Sequence, residues 1–201
     1  MTTHRFFSVF LSTLFIASEA LGQSNKPPKD YLAVAGPIRF ANTAYHLAWT
    51  AHLSATFYKQ EYVAAGDKPE RFKTMLLLDV VTSPLKLSDV VRAKVDELQR
   101  LKQQNLVVSY EVFEKDGEYL LDFLLSQNTP DGKQISIVER NVYRYKTVVT
   151  RSGQPAVLLF GVSTRAYDAE VTPFLTKLKA DRSTLLRQVS QVSMPQIAIA
   201  K

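Results

Sequence analysis

One group of charged residues has a spacing that could support acid–base chemistry. Asp116-Gly117 lies between two alternating segments, 107–114 and 118–126, and Asp-Gly is the strongest short signal for a two-residue hairpin turn. That turn fixes the register and places Glu111 directly across from Asp122. Two carboxylates at this distance destabilise a sheet unless they are solvated, protonated or neutralised by a cation. Paired carboxylates are also a usual basis of general acid–base catalysis.

The following strand carries arginines that could complete this candidate site. Arg140 and Arg144 share one parity of that strand, and a connecting loop that preserves the parity would place them on the face of Glu111 and Asp122. An acid–base or ligand site is one interpretation of this pattern, and a salt-bridged, solvated sheet face is the other. The candidate catalytic residues are Glu111, Asp122 and Arg140, and the candidate ligand contacts are Arg144 and Ser109.

Other chemistry receives less support from the sequence. His46 and His52 lie six residues apart on one parity of an alternating strand, without a third ligand in metal-binding spacing, so we predict that neither binds a metal. The chain has no cysteine, no G-x-S-x-G motif and no Gly-rich phosphate loop. Tyr143 and Tyr145 alternate with basic residues, which would put rings and charges on opposite faces and argues against nucleic-acid binding. The sequence predicts no cofactor.

The first 22 residues have the layout of a secretory signal peptide. His4-Arg5 form a basic start, residues 6–17 form an apolar stretch, and small residues at Ala20 and Gly22 follow. We predict cleavage after Gly22 and a periplasmic or extracellular location, with an uncleaved membrane anchor as the alternative. A chain without cysteine suits an oxidising compartment. The rest of the chain contains no apolar segment long enough to span a membrane.

The elements that must position these residues predict an α+β fold. The patterns indicate a largely antiparallel sheet of about six to seven strands with two main helices, at about 88–104 and 172–192, packed on it. We expect Ser88 and Thr172 to cap those helices. The predicted divisions are a signal peptide (1–22), a disordered polar leader (23–30), a single domain (31–192) and a loose C-terminal tail (193–201).

Local patterns within the domain add four expectations. Alternation over residues 45–62 predicts a hairpin that turns near 52–55. Asp67 and Glu70 have the spacing of a capping box and predict a helical turn. Residues 74–81 form a strand, with a helix through this segment as the alternative. Residues 134–149 carry polar side chains on both parities, which predicts a partly exposed strand.

This order of elements resembles the α/β/α sandwich of the PsbP-like family of small exported or lumenal proteins. The resemblance covers the order of elements, and no motif of that family is matched. It therefore assigns no residue and no activity to this chain.

Composition and charge limit the function. The chain has 201 residues and a net charge of +6, and the basic residues are scattered, as on a solvated surface. We predict an exported, monomeric, non-enzymatic module that binds a partner protein or an envelope component. An enzyme or a small-ligand-binding protein that uses the face of Glu111, Asp122 and Arg140 is the alternative. A stress or assembly factor with an apolar surface patch is a third possibility.

Overall fold

The computed structural model describes residues 27–104 and 107–199. Within these residues the chain forms eight strands, a short 3-10 turn and three α-helices in one succession. The strands are β1 (Ile38–Phe40), β2 (Thr43–Ser54), β3 (Phe57–Ala64), β4 (Thr74–Val81), β5 (Val108–Lys115), β6 (Glu118–Asn128), β7 (Ile135–Val149) and β8 (Pro155–Tyr167). The helices are α1 (Leu87–Gln103), α2 (Val171–Ala180) and α3 (Arg182–Gln191).

The described strands form one antiparallel sheet in the order β1-β2-β3-β4-β8-β7-β6-β5, curved into a half-barrel. The α+β prediction is confirmed, but the strand count is eight among the described residues, above the predicted six to seven. Two four-strand meanders, joined through α1, meet where β4 pairs with β8. The pairing of β7 with β8 extends from Ile137 to Val149, and β8 joins the second meander to β4 of the first.

Apolar side chains cover both faces of the sheet. On one face, here the α3 face, Leu78, Val142 and Phe160 pack with Val189 of α3. On the other, the α1 face, Leu77, Phe123 and Tyr145 pack with Val91 and Leu98 of α1. The central strands are therefore buried on both sides, as their continuous apolar sequences require.

The signals for the Asp116-Gly117 turn and for β4 are confirmed. Glu111 lies across from Asp122, and Asp116 and Gly117 both have positive φ angles (54° and 73°), as a type I′ turn requires. Residues 74–81 form β4, so the alternative of a helix there is wrong.

The predicted C-terminal helix is divided in two. α2 ends at Ala180 and α3 begins at Arg182, because Asp181 leaves the helical conformation (φ −134°, ψ 43°). Capping also differs from the prediction: α1 begins one residue before Ser88, with Lys86 at the N-cap, and α2 begins at Val171 with Glu170 at the N-cap. In both helices the observed N-cap lies two residues before the predicted one and makes no side-chain capping hydrogen bond.

Two other local predictions are wrong. Asp67 and Glu70 start no helix, because the side chain of Asp67 accepts a hydrogen bond from the backbone N–H of Lys73 and closes a loop instead. β2 contains an irregularity between Leu47 and Trp49, which breaks the alternation. The hairpin itself turns at residues 55–56, close to the predicted position.

The segments at both ends of the described chain pack on the α3 face. Gln60 Oε1 accepts hydrogen bonds from the backbone of Tyr31 (2.8 Å) and Leu32 (3.0 Å), and the backbone of Ala198 donates to Leu32. Ile197 is buried, and its carbonyl accepts from Arg151. Residues 193–199 are thus a packed segment, not the loose tail that the sequence predicted, because their apolar side chains complete this core. The predicted signal peptide lies outside the described residues.

No helix among the residues described by the structure is long and apolar enough to cross a membrane.

Candidate functional site

The structure brings the predicted carboxylates and Arg140 together, with one addition. Arg140 donates from Nε to Asp122 Oδ1 (3.0 Å) and from Nη2 to Asp122 Oδ2 (3.2 Å). Arg182, the first residue of α3, donates to Asp122 Oδ2 (2.8 Å) and to Glu111 Oε1 (3.0 Å). We name Glu111, Asp122, Arg140 and Arg182 the Asp122 cluster.

This cluster is well matched in charge and geometry. The guanidinium of Arg182 lies between the two carboxylates and removes the repulsion that their cross-strand position creates. Asp122 and Arg140 are almost completely buried, whereas half of the Glu111 side chain is exposed. Arg140 also donates to the backbone carbonyl of Arg182 (2.6 Å), which fixes the start of α3 to the sheet. The geometry therefore favours an anchor for α3.

The candidate ligand contacts lie outside this group. Arg144 donates to Glu118 Oε2 (2.6 Å) and to the backbone carbonyl of Val192 (2.9 Å), so it holds the chain after α3. Lys146 makes the second ion pair to Glu118 (2.7 Å). Ser109 is exposed on β5, across from Leu124. These residues lie on the predicted face of the sheet, but they do not converge on one site.

The two histidines lie on opposite faces of the sheet. The irregularity after Leu47 changes the parity of β2, so His46 lies across from Val63 on the α1 face and His52 lies across from Tyr58 on the α3 face. The prediction that they share one face is therefore wrong. His52 stacks on the Tyr58 ring, with centroids 4.3 Å apart. Among the described residues, no group of three or more His, Asp or Glu is arranged to hold a metal ion.

A second group of charged side chains lies between the sheet and α1, where the sequence predicted a core. Strands β3, β4, β7 and β8 supply its floor, and α1 supplies two further charges from above. None of these charged side chains is more than 12% exposed. We name it the α1-face cluster; its charged members are Lys59, Glu61, Asp79, Lys94, Glu97, Glu139 and Arg165.

Lys59 joins the carboxylates of neighbouring strands. Its ammonium donates to both oxygens of Asp79 (3.2 and 3.3 Å) and lies 4.0 Å from Glu61. Burial alone would lower the pKa of Lys59, but the two carboxylates outweigh burial, and the pKa is raised. Burial raises the pKa of Glu61, and the positive charge of Lys59 offsets part of that effect. Keeping the Glu61 carboxyl ionised at this buried position therefore costs free energy.

The charges on α1 leave one polar atom without a partner. Lys94 donates to Glu97 Oε2 (3.2 Å), and its ammonium also lies 5.3 Å from the ring centroid of Phe123. Glu97 Oε1 is buried and accepts no hydrogen bond from any residue that the structure describes. Burial lowers the pKa of Lys94, and the attraction of Glu97 offsets part of that effect. A buried acceptor without a donor costs free energy, and such an atom needs an explanation.

Hydrogen-bonded polar residues continue the cluster along β7 and β8. Arg165 donates to Glu139 Oε2 (2.6 Å), and Asn141 donates to Glu139 Oε1 (3.0 Å). Ser163 donates in turn to Asn141 (2.5 Å). These contacts connect the end of β8 to the middle of β7 on the α1 face.

Two tyrosines of β7 lie on the same face as this network, with Tyr145 buried and Tyr143 partly buried. Burial raises the pKa of both Tyr143 and Tyr145 well above the usual value, so both phenols stay neutral. The Tyr143 ring lies over Gly161, where a Cβ atom would come within 2.9 Å of it. Glycine is thus required for this ring position. The prediction that the tyrosines and the basic residues of β7 occupy opposite faces is confirmed.

The sequence of α1 contains a signal for the α1-face cluster. Lys94 and Glu97 follow Val90 and Val91 at the spacing of the buried helix stripe, before Leu98. Charged residues on a helix that packs on a sheet usually lie on its solvent-facing side. Charges at stripe positions indicate instead that a polar group is buried against the sheet.

Comparison with known proteins gives one result. Residues 32–194 match the model of a protein family of unknown function. The chain belongs to this family. The matched region contains every described strand and all three α-helices, so both clusters lie inside it. No curated protein and no solved structure matches the chain.

The two carboxylates of the Asp122 cluster should differ in their effect on stability. Asp122→Asn leaves buried Arg140 without a full counter-charge, and we expect it to lower the free energy of unfolding by about 3–5 kcal/mol. Glu111→Gln removes a half-exposed partner and should cost less than about 1 kcal/mol. Urea unfolding of both variants measures the difference. Equal effects would contradict the anchoring role of Asp122.

Glu118 should make stability depend on pH. Burial alone would raise the pKa of Glu118, but hydrogen bonds from Arg144 and Lys146 outweigh it, and the pKa is lowered. A carboxyl with a depressed folded-state pKa stabilises the protein above its unfolded pKa, about 4.3, and loses that contribution as pH falls through the folded value. We expect Glu118→Gln to unfold at lower urea concentration at pH 7 and to match the parent protein in acid.

A matched control for this measurement is Glu70→Gln, because Glu70 is an exposed carboxylate in the loop between β3 and β4. Its unfolding curve should follow the parent protein across the whole pH series. A Glu118→Gln difference that persists unchanged in acid would show that the pairing with Arg144 and Lys146 does not stabilise the charged form.

Proposed function

We propose that this protein is an exported, non-enzymatic binding module for a small polar ligand, and that the α1-face cluster is its site. The observation that carries this proposal is the unpartnered, buried Glu97 Oε1 beside Lys94. Export is supported by the basic and apolar layout of residues 1–22 and by the absence of cysteine from the sequence.

Energetics argue that this cluster is maintained for something other than stability. Moving charges out of water is expensive, and apolar side chains of similar volume often replace a buried ion pair without loss of stability. Seven charged side chains packed between a helix and a sheet thus represent a large desolvation cost. Buried titratable groups with shifted pKa values are typical of functional sites.

The donors and acceptors of the cluster indicate the ligand chemistry. Glu97 Oε1 requires an N–H or O–H donor, and the ammonium groups of Lys59 and Lys94 can each donate to a ligand oxygen. A small molecule that carries both hydroxyl or amino groups and oxygen acceptors meets these requirements. Trp49, across from Glu61 in the β2–β3 pairing and 37% exposed, offers a flat apolar surface at the rim. An exported protein meets such solutes, and components of the cell envelope, directly.

The Asp122 cluster supports an enzymatic or ligand-binding alternative less well. Each oxygen of Asp122 already accepts from a guanidinium, and Glu111 shares Arg182 with it. A general acid or base needs a free oxygen directed at a substrate. The unpartnered oxygen of the α1-face cluster is the better candidate contact.

Native mass spectrometry of the protein recovered from the exported fraction tests export and binding together. We expect a polypeptide mass that matches residues 23–201 and an additional, non-covalent mass of a few hundred daltons. The Lys94→Met/Glu97→Leu variant should give the polypeptide mass alone. A polypeptide mass that includes residues 1–22 would contradict cleavage.

Unfolding of the α1 variants distinguishes a binding site from a structural ion pair. Glu97→Leu alone leaves Lys94 buried without its carboxylate and should cost about 3–5 kcal/mol, whereas Lys94→Met/Glu97→Leu should be neutral or more stable by up to about 4 kcal/mol. Asp89→Ala/Arg92→Ala removes an exposed pair of the same spacing on the same helix and should change stability by less than about 1 kcal/mol.

Urea unfolding of ligand-free protein gives these values. A double variant that loses as much stability as the single variant, together with a parent protein that retains no additional mass, would overturn the proposal. That result would identify the Lys94–Glu97 pair as part of the scaffold.

A further inference from the structure

The outer edge of β5 is an eight-residue strand that pairs with β6 alone among the described strands. It carries one exposed apolar side chain on each face, Val112 (41% exposed) and Phe113 (42% exposed), between the charged residues Glu111, Glu114 and Lys115. Natural edges of this length are usually protected by a bulge, a proline or a covering element, because an open edge is a template for another strand. No described residue outside β6 makes a backbone hydrogen bond to β5.

We propose that two copies of this protein pair through β5, antiparallel, about a two-fold axis at Phe113. The inference is independent of the ligand proposed for the α1-face cluster, because β5 lies at the far edge of the sheet. It also differs from the monomer that the sequence predicted. The occupant is a second copy because the sequence of β5 complements itself in this register.

Backbone geometry limits the possible registers. In a hairpin with a two-residue turn, the flanking residues Lys115 and Glu118 exchange both backbone hydrogen bonds, and bonding then alternates along the strand. The backbone groups of Val112 and Glu114 therefore point outward, whereas those of Glu111 and Phe113 point to β6. Two copies must oppose outward-facing residues, so the two-fold axis passes through a residue, never between two residues.

Charge selects one of these registers. An axis at Glu111 opposes two carboxylates that each already pair with an Arg182 of their own copy, so it adds no opposite charge. An axis at Val112 places Glu111 across from Phe113 and forms no ion pair. An axis at Phe113 opposes the two Phe113 rings and places each Glu111 across from Lys115 of the other copy, twice by symmetry. Opposite charges and aromatic pairs directly across a sheet stabilise it, and like charges destabilise it. Because the Phe113 and Glu111–Lys115 pairs are not hydrogen-bonded, their side chains are also the closer ones.

A charge-exchange experiment tests the register. We expect the parent protein to reach dimer mass at high micromolar concentration in light scattering after size exclusion. Glu111→Lys alone and Lys115→Glu alone should each be monomeric, because each opposes like charges at both positions. An equimolar mixture of the two variants should recover the dimer, because every pair across the axis is then complementary.

The absence of cysteine from the sequence allows a covalent control. Phe113→Cys should form a disulfide dimer on mild oxidation, because cross-strand Cα atoms in this kind of pair lie about 4.5 Å apart, within disulfide range. Glu111→Cys, its neighbour on the same face, should remain largely unlinked. Glu111→Cys mixed with Lys115→Cys should link the two variants.

Two results would overturn the proposal. One is a parent protein that stays monomeric at high concentration while Phe113→Cys and Glu111→Cys cross-link equally slowly. The edge of β5 would then be solvated, or would pair with a strand of a different protein. The other is a dimer that survives both charge reversals, which would place the interface elsewhere on the surface. Neither result bears on the retained ligand mass, so failure here and failure of the proposed function are distinguishable.

Discussion

The sheet is covered on both faces, so each charged side chain on its central strands must find a partner inside the protein. β7 shows the consequence over three consecutive residues. Glu139 and Asn141 point to the α1 face and enter the network with Arg165, whereas Arg140 points to the other face and binds Asp122. Unpaired, any of these groups would cost several kcal/mol. The strands thus have ionic contacts as well as apolar packing to hold the helices on both sides.

Local sequence patterns predicted those parts of the fold that local physics determines. The Asp116-Gly117 turn fixes the β5–β6 register, because its backbone angles allow few residue types and one strand pairing. The apolar run of β4 and the amphipathic pattern of α1 were likewise sufficient to predict a strand and a helix, because both patterns are local. β7 was predicted as partly exposed, since polar residues on both parities normally indicate solvent. Its C-terminal end is exposed, at Thr147 and Val149, but the polar residues 139–141 in its middle are buried, because their partners come from β6, β8 and α3, which no local pattern reveals.

The difference between local patterns and contacts distant in sequence also explains how much of the candidate sites the sequence could predict. Glu111, Asp122 and Arg140 belong to neighbouring strands, so hairpin register and parity were enough to place them together. Arg182 lies 71 residues after Glu111 in sequence, and its role depends on how α3 docks. The break at Asp181 gives α3 a direction independent of α2. A continuous helix would fix the azimuth of Arg182 at about 100° per residue from α2, whatever the position of Asp122.

The two ionic clusters use similar residues but differ in how fully they are satisfied, and this difference separates scaffold from site. On the α3 face, both oxygens of Asp122 accept charged hydrogen bonds, and a guanidinium lies between the opposed carboxylates. The buried Asp122 is therefore saturated and holds elements in place, and the remaining carboxylate oxygen of the cluster, on Glu111, is half exposed to solvent. On the α1 face, Lys94 satisfies one oxygen of Glu97 and leaves the other buried without a described donor. Packing does not require a charge at position 97, because an apolar side chain would fill the same stripe of α1. The unsatisfied oxygen is therefore the reason to propose a donor from outside the chain, and to propose it on the α1 face, where the fold leaves a buried acceptor without a partner.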